Sequence, residues 1–298
     1  YLCDAVTIAR EIGLKGRINT ILLTMKAVLE PGDEVLLPSP GYGLYYNCAS
    51  IADAQVRAYA LKAPDFGWGG AEAGERTKML FINSPHNPTG AVLSKEELGQ
   101  IADFAKANNL LVVSDEAYDR LLYDGLEHRS IASEPGMRDR TVILGSFSKT
   151  YSMTGWRIGY LAGPAEVIRG MALLQQSFVL SVNSFAQWGA VEAMTGPQDC
   201  VEEMRQQFDI RRKAMMEALS TIPNVSFAAP KGAFYIYLNH EKTGLDPVRF
   251  CAKLLDEYYV ACVPGSEYGP YAGCNTRLSC ATGLDDCLEG VGLTSCRE

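Results

Sequence analysis

Two patterns of hydrophobic and polar residues alternate along the first two thirds of the chain. Short runs rich in β-branched and aliphatic residues are typical of buried strands, and they predict strands at 34–37, 55–59, 78–82, 110–114, 141–144 and 159–163. Longer runs with apolar residues at helical spacing predict helices at 2–9, 19–29, 94–109, 165–176, 183–194 and 201–219. This alternation predicts an α/β fold in which helices sandwich a mainly parallel sheet.

The pattern changes after the helix at 201–219. Strands are predicted at 225–228, 233–238, 260–263 and 275–279, with a helix at 248–258. This mixture is typical of a smaller α+β module, and the long, one-sidedly charged helix before it is suited to bridging two domains. We therefore predict a large domain at 1–196 and a small C-terminal domain, including the bridging helix, at 197–298.

Composition excludes several classes of function. The 298 residues can form two domains, and 47% hydrophobic with 21% charged residues is typical of a globular protein. A net charge of −8 disfavours nucleic acid and anionic membranes as partners, and no apolar run is long enough to span a membrane. The nine scattered cysteines and three isolated histidines predict neither a disulfide framework nor a metal site, which agrees with a reducing cytoplasm.

The candidate chemistry is concentrated in residues 146–160, directly after the predicted strand at 141–144. Lys149 is expected in the loop at the carboxyl end of that strand, where open α/β sheets bind their ligands. Ser146 precedes this lysine and Arg157 follows it. Such a lysine can form an imine with an aldehyde cofactor while hydroxyl and guanidinium groups hold an anionic tail. A surface loop with a solvated lysine is the alternative.

The same segment resembles the cofactor-lysine segment of class I/II, fold-type I pyridoxal 5'-phosphate (PLP) aminotransferases, the relatives of aspartate and aromatic aminotransferases. The resemblance covers most of the chain from about Gly16 onward. Further motifs in the family's order are Pro31-Gly32-Asp33, Pro40-Gly41-Tyr42, Asn83-Ser84-Pro85-His86-Asn87-Pro88-Thr89-Gly90, Ser114-Asp115-Glu116-Ala117-Tyr118 and Arg277-Leu278-Ser279. Each motif is weak alone, but together they are a strong signal.

The resemblance implies roles for five residues outside the lysine segment. Tyr42 stacks on the pyridine ring, and Asp115 pairs with the ring nitrogen, the cation that a buried acidic side chain needs. Asn87 and Tyr118 donate to the phenolate oxygen of the cofactor, and Asn87 also meets the substrate carboxylate. Arg277 binds the substrate's α-carboxylate through its forked guanidinium. The structural alternatives are a turn residue for Asn87 and an edge-strand residue for Arg277.

The resemblance assigns the phosphate of PLP to Ser146, Arg157 and the backbone amides at Gly16, Arg17 and Ile18. The last three align with the family's glycine-rich phosphate loop, and amides at a helix start suit a phosphate. The chain departs from many relatives here, because Arg17 and Ile18 stand where a second glycine and a polar side chain are usual. Ile18 has no hydroxyl group, and a simple helix start is the alternative.

These roles imply a PLP-dependent aminotransferase that moves an amino group between an L-amino acid and a 2-oxo acid. Lys149 holds PLP as an internal aldimine and later transfers the Cα proton, while Asp115 and Tyr118 stabilise the charges on the cofactor. A carbon–sulfur β-lyase or a cyclopropane-forming synthase would share these residues. A non-catalytic sensor domain is a further alternative, which the lack of a basic helix-turn-helix segment disfavours.

The family resemblance also implies a homodimer with its sites at the subunit boundary. Compared with the family, the chain lacks the N-terminal arm and is abbreviated near 10–16, near 69–74 and in the tail at 280–298. We expect the tyrosine that crosses the dimer and the side-chain specificity residues to lie mainly in the absent parts, above all the N-terminal one. Tyr1 is therefore not assigned the role of that tyrosine.

Overall fold

The computed structural model describes residues 14–178 and 180–295, and their side chains at 20–178 and 180–292. The predicted helix at 2–9 lies outside the described residues. The described chain forms a seven-stranded sheet and a four-stranded sheet, each with helices packed against it. No helix within these ranges is both long enough and apolar enough to cross a membrane.

The large sheet is mainly parallel, as predicted. Its strands are β1 (Leu14–Lys15), β2 (Glu34–Ser39), β3 (Gln55–Ala60), β4 (Thr77–Asn83), β5 (Leu111–Asp115), β6 (Thr141–Ser146) and β7 (Ile158–Ala162). They lie in the order β1-β7-β6-β5-β4-β2-β3. The strands from β2 to β6 pair in parallel, whereas β7 is antiparallel to both β6 and β1.

Helices cover both faces of this sheet. They are α1 (Gly16–Val28), α2 (Leu44–Ile51), α3 (Lys95–Ala107), α4 (Phe147–Thr150), α5 (Ala165–Phe178) and α6 (Ser184–Thr195). Successive side chains of a strand point to opposite faces, so Val35 and Leu37 pack with α1, α2 and α5, while Leu36 packs with α3. The sheet is therefore buried on both sides, which explains why its strands are continuous apolar runs.

The helix α3 begins where the sequence predicts. Ser94 accepts a hydrogen bond from the Glu97 amide at 3.2 Å, and the Glu97 carboxylate accepts one from the Ser94 amide at 2.7 Å. This reciprocal pair is a capping box that satisfies two backbone donors at the helix start.

The C-terminal part contains the smaller sheet. Its elements are α7 (Asp199–Ser220), β8 (Ser226–Phe227), β9 (Tyr235–Asn239), α8 (Pro247–Tyr258), β10 (Val263–Pro264), β11 (Asn275–Ser279) and α9 (Leu284–Ser295). The strands are antiparallel in the order β10-β11-β9-β8. Met215 and Leu219 of α7 pack against Ile236, Leu238 and Leu278 of the sheet, so the long helix contributes to this core.

Several local predictions differ from the structure. The elements β1, α2 and α9 were not expected, although Tyr45, Cys48 and Ala49 of α2 are buried at helical spacing. The strand predicted at 260–263 starts only at Val263, because the Val260 amide still bonds to Leu254 in the C-terminal cap of α8. The lysine expected in a loop lies instead in α4, a single helical turn.

Candidate active site

The carboxyl edge of the large sheet brings the two central candidates together. Asp115 ends β5 and pairs across the parallel ladder with Leu144 of β6. Lys149 follows β6 after only two intervening residues, so both side chains start from the same edge. The Asp115 side chain is fully buried, and its Oδ1 accepts a 3.3 Å hydrogen bond from the Ala117 amide.

Ser146 determines how the lysine is presented. The Ser146 hydroxyl oxygen accepts a hydrogen bond from the Ser148 amide at 3.2 Å and caps the short helix α4. Thr150, at the end of that helix, donates to the half-buried Asp119 carboxylate at 3.2 Å. Lys149 is half-buried between these two anchors, with Nζ 5.3 Å from the centre of the Phe234 ring. The amine therefore faces β9 and the turn before it.

Tyr118 joins the large sheet to the small one. Its hydroxyl group shares a 2.8 Å hydrogen bond with the hydroxyl group of Tyr235, and its ring meets the Phe234 ring edge-on at 5.5 Å. The Tyr118 side chain is 1% exposed. The phenol predicted to face the cofactor is thus held by residues of the small sheet as well as by its own chain.

Arg277 and Asn87, the two predicted substrate residues, are in direct contact. Nη1 of Arg277 donates to Oδ1 of Asn87 at 3.1 Å, and the Arg277 guanidinium lies 4.4 Å from the centre of the Tyr235 ring. Arg277 belongs to β11, which pairs on both sides with β10 and β9, so the edge-strand alternative is wrong. Its buried Nε has no hydrogen-bond partner within the described part of the chain, and a carboxylate is the ligand that such a donor suits.

The loop before Asn87 connects the substrate residues to the sheet edge. The Asn87 amide donates to Oδ1 of Asn83 at 2.9 Å, and Nδ2 of Asn83 donates to the Asp115 carbonyl at 2.8 Å. A buried asparagine that bonds in this way fixes the path of the backbone. Asn87 is therefore more than a turn residue capping its own backbone, because its side chain reaches Arg277.

The backbone positions of the predicted phosphate residues converge at β7. Gly159 pairs with Ser146 of β6 on one side and with Leu14 of β1 on the other. Gly16 starts α1 two residues after Leu14, and Arg157 lies two residues before Gly159. The start of α1 and the carboxyl end of β6 are consequently at the same edge of the sheet.

The side chains of the predicted phosphate residues give less support for a phosphate site than their backbone positions do. Arg157 has a left-handed backbone (φ 54°), is exposed and donates from Nη1 to the Thr154 carbonyl at 2.9 Å. The structure thus places its backbone near Ser146, but its described hydrogen bond points toward its own turn. Arg17 and Ile18 lie in the first turn of α1, and their side chains are outside the described set. Their role in binding phosphate stays a prediction.

Two tyrosines, Tyr42 and Tyr45, form a chain of contacts that ends at Asp115. Tyr42 is half-buried and meets the ring of Tyr45 edge-on at 5.6 Å, with an interplanar angle of 86°. The Tyr45 hydroxyl group donates to Oδ2 of Asp115 at 2.6 Å. The sequence does not indicate that Tyr45 bonds to Asp115, or that Tyr235 contacts Tyr118 and Arg277. Neither Tyr45 nor Tyr235 belongs to a motif, and each meets its partners only through the fold.

A partly buried ionic network lies next to Asp115 in the sequence and is centred on Glu116. Glu116 accepts hydrogen bonds from Ser114 at 2.8 Å and Ser130 at 2.6 Å, and its second oxygen lies 2.8 Å from Nε2 of His128. Burial alone would lower the pKa of His128, but the hydrogen bond and charge of Glu116, with the charge of Asp119, raise it overall. Glu116 therefore has a structural role, because its carboxylate joins β5 to the segment of His128 and Ser130.

The arrangement of these groups fits PLP. The cofactor has an aldehyde, a phenol oxygen, a ring nitrogen and a flat aromatic face, and Lys149, Tyr118, Asp115 and Tyr42 carry the matching amine, hydroxyl, carboxylate and ring. The unpartnered Nε of Arg277 within the described residues suits the carboxylate of an amino acid. Lys149, Tyr118 and Arg277 all contact Phe234 or Tyr235 of the small part, and Arg277 is also bonded to Asn87.

Comparison with known sequences agrees with this geometry. The model of the family described as aminotransferase class I and II matches residues 5–290. The chain belongs to this family. The aminotransferase is 38% identical over 287 residues to an aspartate aminotransferase from Pyrococcus abyssi, which covers 93% of the chain and 73% of that relative. It is 36% identical over 285 residues to aromatic-amino-acid aminotransferase 2 from Thermococcus litoralis, with 93% and 72% covered.

Solved structures give the same result. The aminotransferase superposes on the aromatic aminotransferase from Pyrococcus horikoshii with a TM-score of 0.92 and 34% identity, covering 98% of this chain and 83% of the other. For a double mutant of aspartate aminotransferase from Thermus thermophilus, the TM-score is 0.89 at 32% identity, covering 99% and 80%. The protein is a PLP-dependent aminotransferase of fold type I, and no finding favours a lyase, a synthase or a sensor domain.

Proposed function

We propose that this aminotransferase transfers the amino group of an acidic or aromatic L-amino acid to a 2-oxo acid, with Lys149 as the catalytic lysine. The names of its relatives in Pyrococcus and Thermococcus support this substrate class. The strongest support for the site is the hydrogen bond of Arg277 to Asn87, because it joins the predicted carboxylate-binding arginine to the predicted cofactor loop.

In this proposal, bound PLP supplies an aldehyde that takes up the amino group and a ring that accepts the electrons released at Cα. The Lys149 amine holds the cofactor and then moves the Cα proton, a task that needs a flexible base close to the substrate. Asp115 holds a proton on the ring nitrogen through its buried carboxylate. Tyr118 donates its hydroxyl proton toward the phenol oxygen, as Asn87 does with its amide.

Arg277 binds and orients the substrate. Its guanidinium is stacked on Tyr235 and bonded to Asn87, so its rotation is restricted before any substrate arrives. A carboxylate bound there would lie between the small sheet and the loop at Asn83 to Gly90, on the side of the lysine amine. Ser146, Arg157 and the amides of Gly16 to Ile18 hold the phosphate and fix the opposite end of the cofactor.

The test of this function is a half-reaction without a 2-oxo acid. Mixing the PLP-loaded protein with a panel of L-amino acids should yield pyridoxamine phosphate and the matching 2-oxo acid, fastest with acidic or aromatic donors. Release of pyruvate and ammonia with no pyridoxamine phosphate would point to a lyase. Failure of every amino acid to change the bound cofactor would point to a sensor domain.

We also propose that the protein is a homodimer. Large apolar side chains on and beside α5 and α6 are 63% to 79% exposed, which is unusual for a monomer surface: Leu173, Phe178, Leu180, Phe185 and Trp188. Trp188→Glu should convert the dimer into a monomer in sedimentation velocity, because it places a charge in the proposed interface. Tyr259→Glu, at an 89% exposed residue of the small part, is the control and should leave the dimer intact.

The division into domains at 1–196 and 197–298 is part of the same proposal. It is supported by the hydrophobic cluster of the small sheet, whose buried members all come from residues 215–291. A cytoplasmic location is supported by the seven cysteines of the described residues, all of which are free thiols.

A further inference from the structure

The side chain of Tyr45 touches two residues that are proposed to hold the cofactor ring. It lies in α2, 70 residues before Asp115, and it is fully buried. Its hydroxyl group donates to Oδ2 of Asp115 at 2.6 Å, within the range of about 2.5–2.7 Å for hydroxyl groups bonded to carboxylates. Its ring meets Tyr42 edge-on at 5.6 Å and Phe81 at 5.1 Å.

We propose that Tyr45 is a positioning residue that orients the Asp115 carboxylate and the Tyr42 ring for the pyridine ring of PLP. This inference rests on the proposed function, because it assumes that Asp115 meets the ring nitrogen. Tyr45 does not touch the cofactor in this proposal and acts only through its two neighbours.

The packing around Tyr45 makes its hydroxyl group a fixed donor. Phe81 is a fully buried residue of β4 and contacts one side of the ring, while the backbone of α2 fixes where the side chain starts. A phenol has few rotatable bonds, so little conformational entropy opposes the contact with the carboxylate. The Ala117 amide donates to the other oxygen of Asp115, Oδ1, at 3.3 Å. Hydrogen bonds to both oxygens thus fix the plane of the Asp115 carboxylate.

The hydrogen bond from Tyr45 leaves the Asp115 carboxylate able to meet the ring nitrogen as well. A carboxylate offers about four lone-pair sites, so the bond from Tyr45 is compatible with one from the ring.

The experiment measures the dissociation constant of PLP for the apoprotein. Tyr45→Phe removes only the hydroxyl group and should weaken PLP binding about tenfold, the effect of one hydrogen bond to a charged group. Tyr46→Phe is the matched control in the same helix, because its hydroxyl group donates to the Pro38 carbonyl at 3.0 Å and not to Asp115. It should bind PLP as the parent protein does.

A double-mutant cycle separates positioning through Asp115 from a general structural effect. In the Asp115→Ala background, Tyr45→Phe should cause no further loss of PLP affinity, because the carboxylate that Tyr45 orients is gone. An equal loss in both backgrounds, or no loss in either, would overturn the proposal.

Should Tyr45→Phe fail to fold, a ring-fluorinated tyrosine at position 45 keeps the shape of the side chain and makes its hydroxyl group a stronger hydrogen-bond donor. It should then tighten PLP binding, and an unchanged affinity would equally overturn the proposal.

Failure of the proposed function gives a different result. If the parent protein does not bind PLP, or binds it equally well after Lys149→Ala with the same absorbance spectrum, the function itself is wrong. If the parent and Tyr46→Phe bind PLP and require Lys149 for the characteristic absorbance, but Tyr45→Phe is indistinguishable from them, only the role of Tyr45 is wrong.

Discussion

Arg277 illustrates how single residues acquire their roles from the fold. It is bonded to Asn87, 190 residues away in sequence, and stacked on Tyr235 of the neighbouring strand. A lysine would keep the charge at this place but lose the planar fork and most of the stacking. An arginine therefore suits the proposed task of binding a carboxylate, which needs direction as well as charge.

Arg277→Lys should raise KM for the amino acid about 10- to 100-fold, with a smaller change in kcat, because it removes a charge-assisted hydrogen bond to the substrate. Steady-state kinetics over a range of amino-acid concentrations measures both constants. Arg249→Lys is the control, since the Arg249 side chain is 82% exposed, and it should leave both constants unchanged. An unchanged KM in Arg277→Lys would contradict the role of the arginine.

The sequence predicts roles for Lys149, Asp115, Asn87 and Arg277, because each belongs to a motif that resembles the family. Tyr235 was not found, because its pairing with Tyr118 spans 117 residues. Nothing in a local pattern indicates which buried tyrosine will meet which partner, since that depends on how two sheets dock. Arg157 differs from Tyr235, because it belongs to a clear motif, but its described hydrogen bond is to the Thr154 carbonyl of its own turn and not to another part of the candidate site.

At the scale of elements, the turn at Pro230 to Gly232 holds the loop of Asn87 against the small sheet. The Lys231 and Gly232 amides donate to the Gly90 carbonyl at 2.8 Å and 2.9 Å. Gly90 has φ +71°, and a Cβ there would lie 2.3 Å from Cβ of Pro230. Glycine is required at this position both for its backbone conformation and for the close approach of the two segments.

Gly90→Ala should lower the free energy of unfolding by about 2–4 kcal/mol and weaken substrate binding, since the loop must move away from Pro230. Chemical denaturation measures the free energy of unfolding.

Gly99→Ala is the matched control within α3, where nothing lies within 4 Å of the added carbon. It should raise the free energy of unfolding by about 1 kcal/mol through helix propensity. Equal effects of the two substitutions would contradict the contact with Pro230.

Element boundaries were predictable where local chemistry sets them and not where tertiary contacts do. The capping box of Ser94 and Glu97 fixed the start of α3, and β11 has the predicted bounds. The strand predicted at 260–263 starts only at Val263, because Tyr259 caps α8 in a left-handed conformation (φ 57°) and the Val260 amide still bonds to the Leu254 carbonyl. An apolar run alone does not distinguish a cap from a strand.

At the scale of the whole molecule, both sheets contribute side chains to the candidate site, and the partly buried network of Glu116 and His128 links folding to pH. His128 is paired with Glu116 and faces Asp119 and Arg120. Its pKa is raised above its ordinary value of 6.5 in the folded protein. The pair therefore stabilises the fold fully below pH 6.5, and this contribution is lost as the pH rises through the folded-state pKa.

His128→Gln should consequently reduce the free energy of unfolding more at about pH 6 than at about pH 9. Urea denaturation of both proteins at the two pH values gives the difference. The effects of His86 and His240, whose pKa values burial lowers, cancel because both proteins retain these residues. If the two proteins differ by the same free energy of unfolding at both pH values, the charge on His128 contributes nothing to stability.

The central claim is that Lys149 is the residue that holds PLP, and covalent mapping tests it most directly. The PLP-loaded protein is reduced with borohydride and digested, and the peptides are sequenced by mass spectrometry. The phosphopyridoxyl group should be found on Lys149 and should be absent when Lys149→Ala is treated in the same way. A label on a different lysine, or a full label on Lys149→Ala, would contradict the account.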